Sequence, residues 1–297
     1  MTVDVVCAGA PFLDIVFRGL PAIPGVGEEV LASEVVIVPG AMANVAFALR
    51  QLGLDAVVCS PKGADPAGRL LQELMADAGI PWIGEATSST SLSVGLPLDG
   101  DRAFVTVRSE ADVDLDAITA LSPRAVVINL PLPGRMPNAP RIFGVVGDPQ
   151  VAILLEDGPR RLTELRALFV NEREARNLTG LTDTLEAGAE LAARGCAVIV
   201  TRGANGAVAS LPDGRVIEAA AAVVDARDTV GAGDLFTAAF VWADLLDRPV
   251  EECLNLSTAY ASSSLARPSP RQKGLTVAAF RDALAAAEVS MSWLQEV

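Results

Sequence analysis

Short runs of β-branched and apolar residues alternate along this chain with Ala- and Leu-rich stretches that stop at a glycine. That alternation limits the fold more than any other feature. Residues 3–8, 56–59, 125–130, 167–170 and 197–201 read as strands of nearly continuous apolar character. Strands buried on both faces have that composition, so the pattern predicts a parallel sheet. Helices are predicted over 44–52, 67–78 and 184–194, each followed at once by a glycine (Gly53, Gly79, Gly195) placed to close it. Three longer helical patterns cover 234–246, 251–266 and 277–287. The expected architecture is α/β, a mostly parallel sheet with helices on both faces, in a single domain spanning 1–297.

Two stretches break the rhythm. Residues 12–39 contain Gly, Pro and short β-branched pieces without a helix. Residues 88–108 alternate polar with apolar around Asp99-Gly100, a good hairpin signal. These inserts are expected to form one small sheet, hinged as a lid over the carboxyl edge of the main sheet; edge strands of the main sheet are the alternative. The Pro- and Gly-rich stretch 131–149 reads as irregular loop.

Composition prunes the chemistry. Of 297 residues, 51% are hydrophobic and 20% charged, enough apolar material for a large core and too much for disorder. The net charge of −14, with no basic cluster, argues against a nucleic-acid partner. There is no histidine, which removes Ser-His-Asp triads, Cys-His pairs and His-ligated zinc. The two lysines, Lys62 and Lys273, do not sit in a Walker-type loop. Cys7, Cys59, Cys196 and Cys253 are far apart in apolar stretches, as buried free thiols would be. No signal-peptide core is present and no apolar run reaches the ~20 residues of a membrane span, so a cytoplasmic protein is expected.

The most informative string is Asp228-Thr229-Val230-Gly231-Ala232-Gly233-Asp234, which opens directly into the apolar helix that starts Leu235-Phe236. Glycines at 231 and 233 let the backbone approach a ligand. The N–H groups of Gly231, Ala232 and Gly233 would point outward at the positive end of a helix dipole, a hole for an anion or a transferring phosphoryl group. Asp234 beside an anion site makes sense as a general base for an attacking hydroxyl. A glycine-rich N-cap with an acidic first turn is the bland alternative.

With that string the chain resembles the ribokinase-like, or PfkB, family of carbohydrate kinases. Three further segments match in order: Pro39-Gly40-Ala41-Met42-Ala43-Asn44-Val45-Ala46, Asn171-Glu172-Arg173-Glu174, and Thr201-Arg202-Gly203-Ala204-Asn205-Gly206. Gly9 and Asp14 fit the amino-terminal pattern. The resemblance implies a ribokinase-like three-layer fold and an ATP-dependent kinase acting on a hydroxyl of a small sugar or sugar derivative. It implies that Asp14, Gly40 and Asn44 face the substrate, and that Asn171, Thr201, Gly203 and Gly206 line the nucleotide. Glu174 would order Mg²⁺ through water. Asp228 and the Val230 carbonyl would be ligands of a monovalent cation such as K⁺. A homodimer paired through the lid is also implied. A nucleoside kinase and a non-catalytic sugar- or nucleotide-binding regulator are the alternatives, with Phe12 and Phe104 the stacking candidates for a base. Each match has a structural reading as well. Asn171 and Glu174 suit a capping box, 201–206 a hairpin turn, Asn44 a helix amide and Asp14 a loop carboxylate.

The chain departs from the family pattern at the acceptor side. Pro39 stands where the family has the first of two glycines, and fixes φ there. After the strand at 125–130 only Asn129 offers a polar side chain. Ser109-Glu110-Ala111-Asp112 follows the hairpin where Gly-Ala-Asn is usual. Arg102 and Arg108 either reach a substrate phosphate or decorate a solvated lid face.

Overall fold

The structure is a computed structural model that describes residues 3–98, 101–109, 112–130, 135–147, 151, 159–222, 224, 229–266 and 273–287. The predicted rhythm appears as strands β1 (Val5–Ala8), β4 (Ala56–Cys59), β10 (Ala125–Asn129), β12 (Ala167–Asn171) and β13 (Ala197–Thr201). Helices α1 (Met42–Gln51), α2 (Pro66–Asp77), α5 (Thr184–Ala192), α6 (Ala232–Leu245), α7 (Val250–Leu265) and α8 (Val277–Ala286) fall where the glycine stops and apolar spacing place them. The sequence reading did not assign α3 (Leu115–Leu121) or α4 (Glu172–Thr179), nor the short strands β5 (Lys62–Gly63), β6 (Trp82–Ile83), β7 (Ala86–Thr87), β14 (Ala207–Ser210) and β15 (Val216–Ala219). The stretch 131–149 is not all loop: it carries β11 (Ile142–Val145), paired in parallel between β10 and β12. The neighbouring Pro137 and Pro140 disguise a four-residue apolar run.

The main sheet has nine strands in the order β15-β14-β13-β12-β11-β10-β1-β4-β6. Its pairs are parallel from β6 to β13, and β14 and β15 continue antiparallel at one edge. Val5 and Cys7 of β1 face one core cluster and Val6 and Ala8 the other, so both faces are buried. α1, α2, α6, α7 and α8 cover the first face; α3, α4 and α5 cover the second. Among the described residues no helix is long and apolar enough to cross a membrane.

The two rhythm-breaking stretches form a separate four-stranded sheet ordered β3-β2-β8-β9, from β2 (Pro11–Arg18), β3 (Glu34–Ala41), β8 (Leu92–Leu98) and β9 (Asp101–Val107). The expected hairpin turn at 99–100 lies outside the described residues. Register gives this sheet two different faces. Val38, Asp14, Ser93 and Thr106 line up across one, with Ser93 Oγ 2.6 Å from Thr106 Oγ1. Ile37, Ile15, Val94 and Val105 line up across the other. Ile37 is 40% exposed, Val105 63% and Val107 62%. Pro39 is tolerated because β3 is an edge strand.

Three attachments fix the elements that carry the candidate site. β3 runs into α1 with no loop, through Ala41 at φ 53 and ψ −124, a conformation that costs a non-glycine residue about 1–3 kcal/mol. At the far end of α6, buried Asp244 pairs with Arg141 and Arg166, which lead into β11 and β12, each at 2.9 Å. In α7 the buried Tyr260 hydroxyl donates to Leu275 O at 2.9 Å and accepts from Leu275 N–H at 2.8 Å, clamping the segment before α8.

Candidate active site

Parallel α/β sheets present ligand sites at the carboxyl ends of their strands. The sequence candidates gather there in two groups. The first joins the small sheet to α1 and α6. Asp14 projects from the middle of β2, and its carboxylate lies over Gly40 so closely that a Cβ there would sit 1.8 Å from Oδ2. One turn further, Asn44 donates from Nδ2 to Asp234 Oδ2 at 2.9 Å, across 190 residues of sequence. Gly231, at φ 78, is the N-cap of α6, and a Cβ on it would lie 3.1 Å from that same Asn44 amide. Only glycine fits there without strain and without pushing Asn44 off Asp234.

Asp234 occupies the first turn of α6. Helix starts leave amides without intrahelical partners. Among the described residues nothing accepts from the N–H of Gly231 or Gly233, and the space beside Gly233 is open. Ala232 differs from expectation: its N–H donates to Thr229 O at 3.2 Å, because the chain tightens into a turn just ahead of the helix. The apolar side of α6 keeps this end in place. Phe236 packs edge-on against Phe169 of β12 at 6.4 Å between centroids, and Phe240 against the same ring at 5.2 Å. Each buried ring contributes about 1.5–3 kcal/mol relative to exposure.

Two buried carboxylates lie near one another here. Asp14 is 7% exposed, and its carboxylate accepts no hydrogen bond from any described residue. Burial, and second the charge of Asp234, push its pKa up to about 7. Burial pushes Asp234 up to about 6, opposed by the Asn44 hydrogen bond. Beneath them the Cys7 thiol is raised by burial first and by Asp234 second, so it stays protonated and inert. All four cysteines are free and buried, as expected.

The second group lies on neighbouring strand ends. Asn171 ends β12 in register with Thr201, which ends β13. Asn171 and Glu174 form a reciprocal capping box at the start of α4: Asn171 Oδ1 accepts from Glu174 N–H at 2.9 Å, and Glu174 Oε2 accepts from Asn171 N–H at 2.8 Å. Glu174 is 6% exposed, and burial, its largest influence, raises its pKa to about 6. Thr201 Oγ1 donates to Val170 O at 3.5 Å. Gly203 and Gly206 lie in the turn from β13 to β14, closed by Arg202 N–H onto Gly206 O at 2.7 Å. No hydrogen bond joins this group to the first among the described residues.

Two ions implied by the family resemblance meet different surroundings. Oxygen donors at Asn171 and Glu174 suit a hard cation such as Mg²⁺. Among the described residues no group of three or more His, Cys, Asp or Glu could cage a metal, so the ion would keep most of its water. At the expected monovalent-cation site one of the two ligands already meets a cationic side chain. Lys273 Nζ donates to the Val230 carbonyl at 2.9 Å, so the positive charge behind the α6 turn belongs to the chain. Asp228, the other expected ligand, lies outside the described residues. Lys273 was the residue that sequence reasoning missed; its only signal was scarcity, as one of two lysines. It lines one pocket with Asp14, Asn44, Val230 and Gly231.

The chain is similar to several known proteins. Residues 148–276 match the family described as pfkB family carbohydrate kinase. The chain is 28% identical over 253 residues to an acarbose 7(IV)-phosphotransferase of an Actinoplanes species, spanning 80% of this chain and 83% of that protein. It is 28% identical over 250 residues to an ATP-dependent ribose-1-phosphate kinase of Halopiger xanaduensis, spanning 78% and 81%. The crystal structure of an adenosine kinase from Sinorhizobium meliloti superimposes with a TM-score of 0.77 at 20% identity, over 95% of this chain and 100% of that one, and so shares its fold.

Proposed function

We propose that the chain is a carbohydrate kinase of the pfkB kind that transfers the γ-phosphoryl group of ATP to a hydroxyl of a small sugar or sugar derivative. Asp234 takes the proton of the attacking hydroxyl. The acceptor oxygen bonds to the γ-phosphorus as the bond from that phosphorus to the bridging oxygen breaks, and ADP leaves with the bridging oxygen's electrons. The open amides of Gly231 and Gly233, at the positive end of α6, offset the charge on the transferring group. Asp14 and Asn44 hold acceptor hydroxyls, and bare Gly40 leaves room for the ring. Asn171, Thr201, Gly203 and Gly206 lie toward the nucleotide. Mg²⁺ arriving with the nucleotide would neutralise phosphate charge, with Asn171 and Glu174 the residues to hold it through water.

One observation carries this reading: the Asn44-anchored carboxylate of Asp234 stands in the same turn as two unfilled backbone amides. A binding protein gains nothing from a carboxylate beside an anion hole. The small sheet serves as the lid that excludes water, so that ATP is not merely hydrolysed. Its apolar outer face pairs with a second copy of the chain. A sugar acceptor is favoured over a nucleoside because both 28% identical relatives are named for sugar substrates.

The test is ADP release with ATP and Mg²⁺ against sugars, sugar phosphates, sugar acids and nucleosides. We expect turnover with one sugar class, and loss of turnover with retained ATP binding in Asp234→Asn. Turnover undiminished in Asp234→Asn would remove the general-base role; ATP binding without turnover of any acceptor would favour a regulator.

A further inference from the structure

The polar face of the small sheet carries a cation that the transfer chemistry above does not use. Arg108 follows the last paired residue of β9, two positions beyond Thr106, and so continues the face shared by Thr106, Ser93 and Asp14. Its guanidinium carbon lies 5.6 Å from the centroid of the Phe12 ring, and Phe12 stands two positions before Asp14 on β2 and opposite Gly40 on β3. The side chain therefore crosses β8 toward the acceptor side of the sheet. Small residues make that crossing possible: the β8 positions on this face are Ser93 and Gly95, with Ser91 just ahead of the strand. Ring contact holds the guanidinium plane while leaving its N–H edge available.

Among the described residues no carboxylate pairs with the guanidinium and no hydrogen bond reaches it. It is half-buried, and burial is the sole influence on its pKa, which it lowers. Among the described side chains most other arginines are ion-paired, including Arg18, Arg50, Arg124, Arg135, Arg141 and Arg166. In a chain of net charge −14, a partly desolvated arginine with no described carboxylate on it is costly unless something else supplies the anion. Beside it, the Ser109 hydroxyl is buried without a hydrogen-bond partner.

We propose that Arg108, held on Phe12, is a specificity residue that binds an oxyanion on the acceptor, a phosphate ester or a carboxylate, so that the preferred substrate is an anionic sugar. This rests on the kinase reading above and names its substrate class. Arg matches both oxyanions through a two-pronged hydrogen bond. Asp14 on the same face accepts hydroxyls and repels the anion, which orients the acceptor with its charged end at Arg108 and its hydroxyls toward Asp14.

Steady-state kinetics with matched acceptors test this: ribose against ribose 1-phosphate, and glucose against glucose 6-phosphate and glucuronate. A charge-assisted contact of this kind is worth about 10- to 100-fold in kcat/KM for the charged member. In Arg108→Met that preference collapses through KM, whereas Arg108→Lys keeps part of it. The phosphate and carboxylate arms show which oxyanion is used. Equal kcat/KM for charged and neutral partners in the wild type overturns the proposal. So does a preference that survives in Arg108→Met, or a weakened ATP affinity with the acceptor preference intact. If no acceptor turns over, the kinase reading fails by itself. Calorimetry of the same pairs then decides the anion site, through the presence or absence of an Arg108-dependent preference in binding.

Discussion

Single groups set what the pocket can do at a given pH. Asp234 must be ionised to accept a proton, and its pKa of about 6 lies above the ordinary carboxylate value near 4. kcat/KM is therefore expected to fall as the pH drops through about 6, with the coupled ionisation of Asp14 near 7 broadening the limb. Asp234→Asn should cost about 10²- to 10⁴-fold in kcat and lower the Asp14 value part of the way, because the charge raising it is gone while its burial remains. Both folded-state values are raised, so the folded chain binds these protons more tightly than the unfolded one. Their contribution to stability is present below about pH 4 and is lost as pH rises through 6 to 7; thermal melts from pH 5 to 8 would show the decline. Lys273 makes a second prediction. With its ammonium on the Val230 carbonyl, the rate should stay within about twofold when K⁺ is replaced by tetramethylammonium, and Lys273→Met should lower kcat. A strict K⁺ requirement in the wild type would refute this role. Asp234, Asn44 and Gly231 were legible because one continuous string and one helix start carry them. Lys273 was not, since the contact is made across 43 residues by a side chain in no motif.

Elements place these groups by being pinned at both ends. α6 is fixed at its carboxyl end by Asp244 between two arginines and along its amino-terminal half by edge-on phenylalanines. The segment carrying Lys273 is held by Tyr260, whose hydroxyl serves both polar groups of Leu275. Tyr260→Phe leaves a buried N–H and a buried C=O unpaired, and should destabilise the fold by about 2–3 kcal/mol in chemical denaturation. It should also lower kcat more than it raises KM for ATP, by loosening Lys273. An unchanged midpoint would mean that water replaces the hydroxyl. At this scale the strand and helix rhythm was legible from apolar runs and glycine stops, often to within two residues. β11 was not, because four apolar residues among prolines look like a loop until both neighbours pair with them. α3 escaped for a similar reason: seven residues are too few to show a period, and Asp114 accepting from two amides is what secures its start.

The whole molecule is strongly acidic, and among the described residues the small sheet exposes an apolar face; the two would act against each other in assembly. Two chains of −14 repel, while Ile15, Ile37, Val94 and Val105 attract through lost contact with water. Light scattering at micromolar concentration should give about twice 30.7 kDa, with dissociation weakening as salt screens the repulsion. Val105→Glu together with Val107→Glu should yield a monomer of unchanged secondary structure. A monomeric wild type across that salt range would leave the outer face without this role. The small sheet was foreseeable from its hairpin signal, but its two-faced register was not, since pairing partners lie up to about 80 residues apart. That register bears on inheritance. Even-numbered positions of β2 share the face of Asp14 and odd-numbered ones the face of Ile15, so under the proposed function point mutations would retune acceptor choice and pairing of copies as independent traits. A one-residue insertion within β2 would exchange the two surfaces at a stroke, so descendants of this chain should vary freely in side chain here and scarcely at all in length.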